Sequence, residues 1–103
     1  MADQRCGLKI AAHLYNRSVA TRGKLDVVIN GKVLDELQRK CTVLQIERGQ
    51  CNQLEPLIWQ TNTCLGNWRY QRSLFEQDGY KSAKTVIQTL ADVVSKNGNP
   101  LMT

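Results

Sequence analysis

Apolar positions in the first segment recur with a helical rhythm. Leu8, Ala11, Ala12, Tyr15 and Val19 fall at i, i+3, i+4, i+7 and i+11, which predicts an amphipathic helix over residues 7–20. Arg22-Gly23 supplies its stop. Leu25-Asp26-Val27-Val28-Ile29 is short and rich in β-branched residues, and Asn30-Gly31 after it looks like a turn, so the segment predicts a strand. Val33, Leu34 and Leu37 share one face and predict a two-turn helix over 33–40. Thr42 to Ile46 predicts a second strand. Residues 48–79, punctuated by Gly49, Pro56, Gly66 and Gly79, show no clear period and predict a long loop, a feature that is often functional. The clearest element follows: Val86, Ile87, Leu90, Val93 and Val94 form one helical face, with Ser82 as N-cap, Lys96 in the last turn and Gly98 at C′. Leu101-Met102-Thr103 reads as the start of a further strand.

Alternating helices and strands predict an α/β fold with parallel strands joined by crossover helices. Two strands and a partial third cannot close a (β/α) barrel, which needs eight strands and about 250 residues. The expected architecture is therefore an incomplete (β/α) barrel fragment, with the 103 residues forming a single partial domain.

Composition narrows the function classes. The chain is 42% hydrophobic and 22% charged, ordinary values for a folded domain. No run approaches the roughly 18 apolar residues of a membrane span, so no membrane partner is expected. Met1 to Arg5 is polar and leads into no apolar stretch, so no signal peptide is expected in this chain. The net charge of +5 comes from fourteen scattered Lys and Arg. Nucleic-acid binders gather such charge on a stripe or interleave it with aromatics, so nucleic acid is not an expected partner. Cys6, Cys41, Cys51 and Cys64 form no C-x-x-C pair, and His13, the one histidine, is distant from them in sequence. Neither a metal site nor a cofactor is expected, and free thiols are the simplest state, although Cys51 and Cys64 could pair in an oxidising compartment.

Glu47 closes the second predicted strand and is followed at once by Arg48-Gly49. A carboxylate at the exit of a buried strand is where (β/α) enzymes place acids. The surroundings extend the pattern. Leu8 to Arg17, the segment ending Val28-Ile29-Asn30, and Glu47-Arg48-Gly49 stand in order. Trp59 to Cys64, Trp68-Arg69-Tyr70, and Tyr80-Lys81-Ser82 through Asn97-Gly98-Asn99 follow. Together these resemble the later barrel strands of retaining α-L-fucosidases, over roughly residues 8–99.

The resemblance implies a carbohydrate site using an Asp nucleophile and a carboxylic general acid/base, with a covalent glycosyl intermediate. It places the nucleophile on an earlier barrel strand, upstream of the matched region, and Asp3 lacks the apolar run that would bury and aim it. Glu47 matches the acid/base of some family members. Others carry that acid at the position of Gln60, where an amide cannot exchange the proton, which favours Glu47. Trp68 matches an aromatic wall against the sugar. Lys32 falls near a sugar-binding Arg of relatives and would supply charge without the guanidinium fork. Trp59 is read first as a packing residue and second as a sugar contact. His13 is expected to be an ordinary helix residue, and the Asn16-Arg17-Ser18 sequon to be silent.

Pro100 interrupts what is an apolar strand in the family, tolerable at a strand start or edge. The expected function is part of an α-L-fucosidase acting on terminal α-L-fucosyl linkages, inactive alone. The alternative is a non-catalytic module that holds a glycan or a protein. A fucosylated glycan is the expected partner if the barrel is completed, together with the missing barrel segment or a second copy of the chain. The compartment is left open, although the resembled family is often secreted, periplasmic or lysosomal.

Overall fold

In the computed structural model, which describes residues 4–103, the first helical rhythm becomes α1, Gln4–Arg22. Its buried face differs from the expected stripe. Ala11 and Ser18 are buried and Leu8 and Tyr15 half-buried, whereas Val19 is half exposed. Ser18 takes the inward position because its hydroxyl has local partners. It lies 2.9 Å from both Lys24 O and Asp26 Oδ1, and Asp26 is also paired with Arg22. Gly23 ends the helix at the expected stop, with φ 69° and its N–H on Val19 O. Asp3, considered above as a nucleophile, lies outside the described residues.

The chain forms an α/β fold with parallel strands and helices, in two compact units, Met1–Leu44 and Gln45–Thr103. In the first unit, the expected strand over 25–29 is not formed as such. Strand β1 is Asn30–Gly31, the dipeptide read as a turn, and Ile29 O accepts from Val43 N–H. The register explains this: Asn30 faces Val43, and the residues before Val43 belong to a helix end. Residues 25–28 therefore have no strand opposite them. That helix, α2, is Glu36–Cys41 and starts later than expected. Val33 sits at φ 53° and is almost fully exposed. Asp35 caps the helix instead: Gln38 N–H donates to its carboxylate while Gln38 Oε1 accepts from Asp35 N–H. This Asp-x-x-Gln pair is a capping box visible in the sequence. Strand β2 is Val43–Glu47, one residue later than expected.

The second unit changes the reading of the long loop most. Within it stand β3, Trp59–Thr63, and the short α3, Arg72–Glu76. Helix α4, Ala83–Ser95, carries the Ser82 cap on Thr85 N–H as expected. The left-handed residue at its end is Asn97, φ 66°, rather than Gly98. Gly98 instead opens β4, Gly98–Met102, which pairs in parallel with β3 from Trp59↔Gly98 to Thr63↔Met102. Trp59 and Val93 are completely buried and form the centre of this unit's core, with Cys64 and Thr61 beside them. A Cβ on Gly98 would stand 2.5 Å from the Trp59 ring and 2.7 Å from Val93, so only glycine permits this approach.

The four cysteines are free thiols, with Cys64 buried and Cys51 not bridged to it. His13 is exposed on α1. No described helix is long and apolar enough to cross a membrane.

Candidate functional site

Glu47 is the last residue of β2 and is exposed. The four residues before it in the strand are half-buried, and a bend follows at Arg48. Arg48 adopts φ 54°, a left-handed conformation that costs a non-glycine residue on the order of 1 kcal/mol or more. Two hydrogen bonds to β3 hold the turn: Arg48 N–H to Asn62 O at 2.8 Å, and Thr61 Oγ1 to Gly49 O at 2.5 Å.

The Arg48 side chain reaches across to the loop after β3. Its guanidinium carbon lies 4.9 Å from the centre of the Trp68 ring, a cation–π contact. Trp68 is 38% exposed, so part of the ring is open to a ligand. The loop that carries it is pinned at its start. Lys81 N–H donates to Leu65 O at 2.8 Å, and the Lys81 ammonium donates to Cys64 O. Asn67 Oδ1 accepts from Trp68 N–H at 2.8 Å. Trp68 thus meets Arg48, the residue that follows Glu47, a contact sequence reasoning missed.

Asn62 adds a second local cost. Its Oδ1 is buried without a hydrogen-bond donor among the described residues. Such an orphan costs about 1–3 kcal/mol. Gln60, where some relatives carry the acid, is half-buried on the same strand.

The remaining expected residues sit elsewhere. Trp59 stands at the entry of β3, with zero exposure and its indole N–H on Lys96 O at 2.9 Å, and in this structure it is a core residue. Lys32 belongs to the first unit, exposed and immediately after β1.

The family comparison now joins this geometry. The family model described as Alpha-L-fucosidase matches residues 3–103. The chain belongs to the alpha-L-fucosidase family. No match is found among curated proteins. Family membership makes the chain similar to glycoside hydrolases.

Among the described residues of the second unit, two of the other carboxylates are in ion pairs. Glu76 pairs with Arg72 at 2.7 Å and Asp92 with Lys96 at 2.8 Å. The backbone of Glu55 bonds Lys96 and Asn97, at the Trp59 end of β3. Asp78 follows α3 in a turn. In the first unit Asp26 is held by Arg22, Asp35 caps α2, and Glu36 pairs with Lys40.

Proposed function

We propose that this chain carries the acid/base side of a retaining α-L-fucosidase site, built on part of a (β/α) barrel. The observation that carries the reading is the strand exit at Glu47, where the next residue, Arg48, stacks on a half-open Trp68. The strained turn at Arg48 and the orphaned Asn62 support it, because proteins concentrate such costs at functional sites. Glu47 protonates the departing glycosidic oxygen in the first step and deprotonates the attacking water in the second. Trp68 receives the apolar face of the sugar.

Retention needs a second carboxylate as nucleophile, about 5 Å from the first. The resemblance places that nucleophile on an earlier barrel strand, and Asp26, Asp35, Glu36, Glu76 and Asp92 are held in caps or ion pairs. The 103-residue chain alone is then inactive, and its partners are the rest of the barrel and a fucosylated glycan. A second reading is a module that holds a glycan without cleaving it, and the five carboxylates held in caps or ion pairs favour it.

The test combines activity with binding. The isolated chain should leave an aryl α-L-fucoside unhydrolysed above background, yet bind L-fucose through Trp68, with binding lost in Trp68→Ala. Hydrolysis that survives repurification and disappears in Glu47→Gln would show that the chain supplies both groups. An absence of fucose binding by the wild-type chain would reject the site.

A further inference from the structure

A cavity of about 300 Å3 lies between the β3–β4 sheet and α4. Alternation along β3 puts Thr61 and Thr63 on the same face as Trp59, and the parallel register sets Pro100 and Met102 beside them. Val86 and Thr89 of α4 line the same space. So do two cations, Arg48 and Lys81, and no carboxylate. We infer that this cavity binds a small monoester of phosphate or sulfate. Arg48 and Lys81 hold the oxyanion, and Val86, Pro100 and Met102 receive the organic body.

The hydrogen-bonding groups select a ligand rich in acceptors. Thr61 donates its hydroxyl to Gly49 O and Thr89 to Thr85 O, so neither proton is open to a ligand. Lys81 directs one proton at Cys64 O and another at Thr63 Oγ1, 3.4 Å away. Its third proton, the Thr63 O–H and the Arg48 guanidinium, which stacks on Trp68, remain as donors. Arg48 and Lys81 form no ion pair among the described residues. A cation is repelled here, and a neutral ligand leaves both charges unmatched. A tetrahedral oxyanion meets them with charge-assisted bonds, roughly twice as strong as neutral ones.

Size and lining select the ester over the bare ion. Sites for organic ligands start at about 300 Å3, well above the volume of one inorganic oxyanion. The apolar side chains gain only if the ligand brings an apolar body to cover them. The cavity does not depend on the fucosidase reading: it shares Arg48 with that site, but lies on the face of β3 opposite to Gln60 and Asn62.

Calorimetric titration of the full chain at pH 8 tests the site, with sodium chloride holding the ionic strength constant. The probes are phenyl phosphate, phenyl sulfate and inorganic phosphate. At least one ester should bind once per chain, about tenfold or more tighter than inorganic phosphate, and the tighter ester names the source of the oxyanion. Lys81→Met should weaken it about tenfold, and Thr63→Val several-fold. Lys84→Met, which removes the same charge from α4 outside the cavity, should leave the affinity unchanged. Circular dichroism checks each fold; if Lys81→Met unfolds for want of its bond to Cys64 O, Thr63→Val against Lys84→Met decides. No saturable binding of either ester overturns the site, as does an equal loss in Lys84→Met. Inorganic phosphate binding as tightly as the esters overturns the assignment of an organic body. L-fucose titrated separately reports on Trp68, so either proposal can fail without the other.

Discussion

Arg48 and Trp68, twenty positions apart in sequence, meet with the guanidinium carbon 4.9 Å from the ring centre. The contact joins a strand-exit turn to an aromatic loop and makes one surface of both. It also places a strained residue at its centre, because Arg48 holds φ 54°.

Two substitutions at this position separate strain from contact. Arg48→Ala should lose the cation–π energy, about 0.5–1 kcal/mol, while keeping the unfavourable backbone. Arg48→Gly should lose the same contact but relieve the left-handed conformation, ending about 1 kcal/mol more stable than the alanine variant. Urea unfolding measures the difference, and Trp68 fluorescence should change in both. Equal stability of the two variants would show that the turn is unstrained.

The core of the second unit depends on one close approach. Gly98→Ala forces a methyl against Trp59 and Val93, and should lower stability by about 1–3 kcal/mol. Trp59→Phe should also be destabilising, since it removes the indole bond to Lys96 O and part of a fully buried ring. Trp68→Phe, at a half-open position, should cost much less. Thermal denaturation of the three variants checks the order, and a Trp68 variant worse than Gly98→Ala would move the core to the loop.

Glu47 can be examined inside a completed barrel, restored by fusion or by mixing fragments until activity appears. Glu47→Ala should then lower turnover most for substrates with poor leaving groups, since they need the proton most. Activated aryl fucosides should lose much less in the glycosylation step. Gln60→Ala should have the smaller effect. A greater loss in Gln60→Ala, with Glu47→Ala near wild type, would assign the working group to the other position.

Association follows from what β4 and α4 leave uncovered. Ile87, Leu90 and Val94 expose 64%, 46% and 56% of their surfaces on one face of α4. We expect the isolated chain to self-associate, and Ile87→Lys with Leu90→Glu to reduce its apparent mass in light scattering. A clean wild-type monomer at high concentration, with cooperative unfolding, would contradict this.

The outer edge of β4 should resist strand addition. Thr103 N–H and O both bond the β3 side, to Thr63 O and Leu65 N–H, so alternation turns the Gly98, Pro100 and Met102 backbone outward. Pro100 lacks the middle donor of that edge. Pro100→Val restores it and should increase association. Scattering unchanged from wild type would place the contact away from the edge.

Local pattern determined several parts of this protein. The spacing in α1 and α4, the Ser82 cap and the strand leading to Glu47 depend on neighbours within a few residues, so they were legible in sequence. The Asp35–Gln38 box was equally local and was there to be found. So was the period-two alternation of Trp59, Thr61 and Thr63 with two amides, the signal for β3 that its polar composition obscured. Other features depended on partners distant in sequence. Asn30-Gly31 became a strand because Val43 and Leu44 stand opposite, while the β-branched run before it faces a helix end. Gly98 was taken from a helix cap into a strand because Trp59 and Val93 fill the space a side chain would need. Glu47 was proposed as the acid from sequence position, but the contact beside it needed Arg48, left-handed at φ 54°, to meet a loop twenty residues on. Periodicity records which face of an element is buried; it carries no information about which distant side chain arrives there, and the site consists of such arrivals.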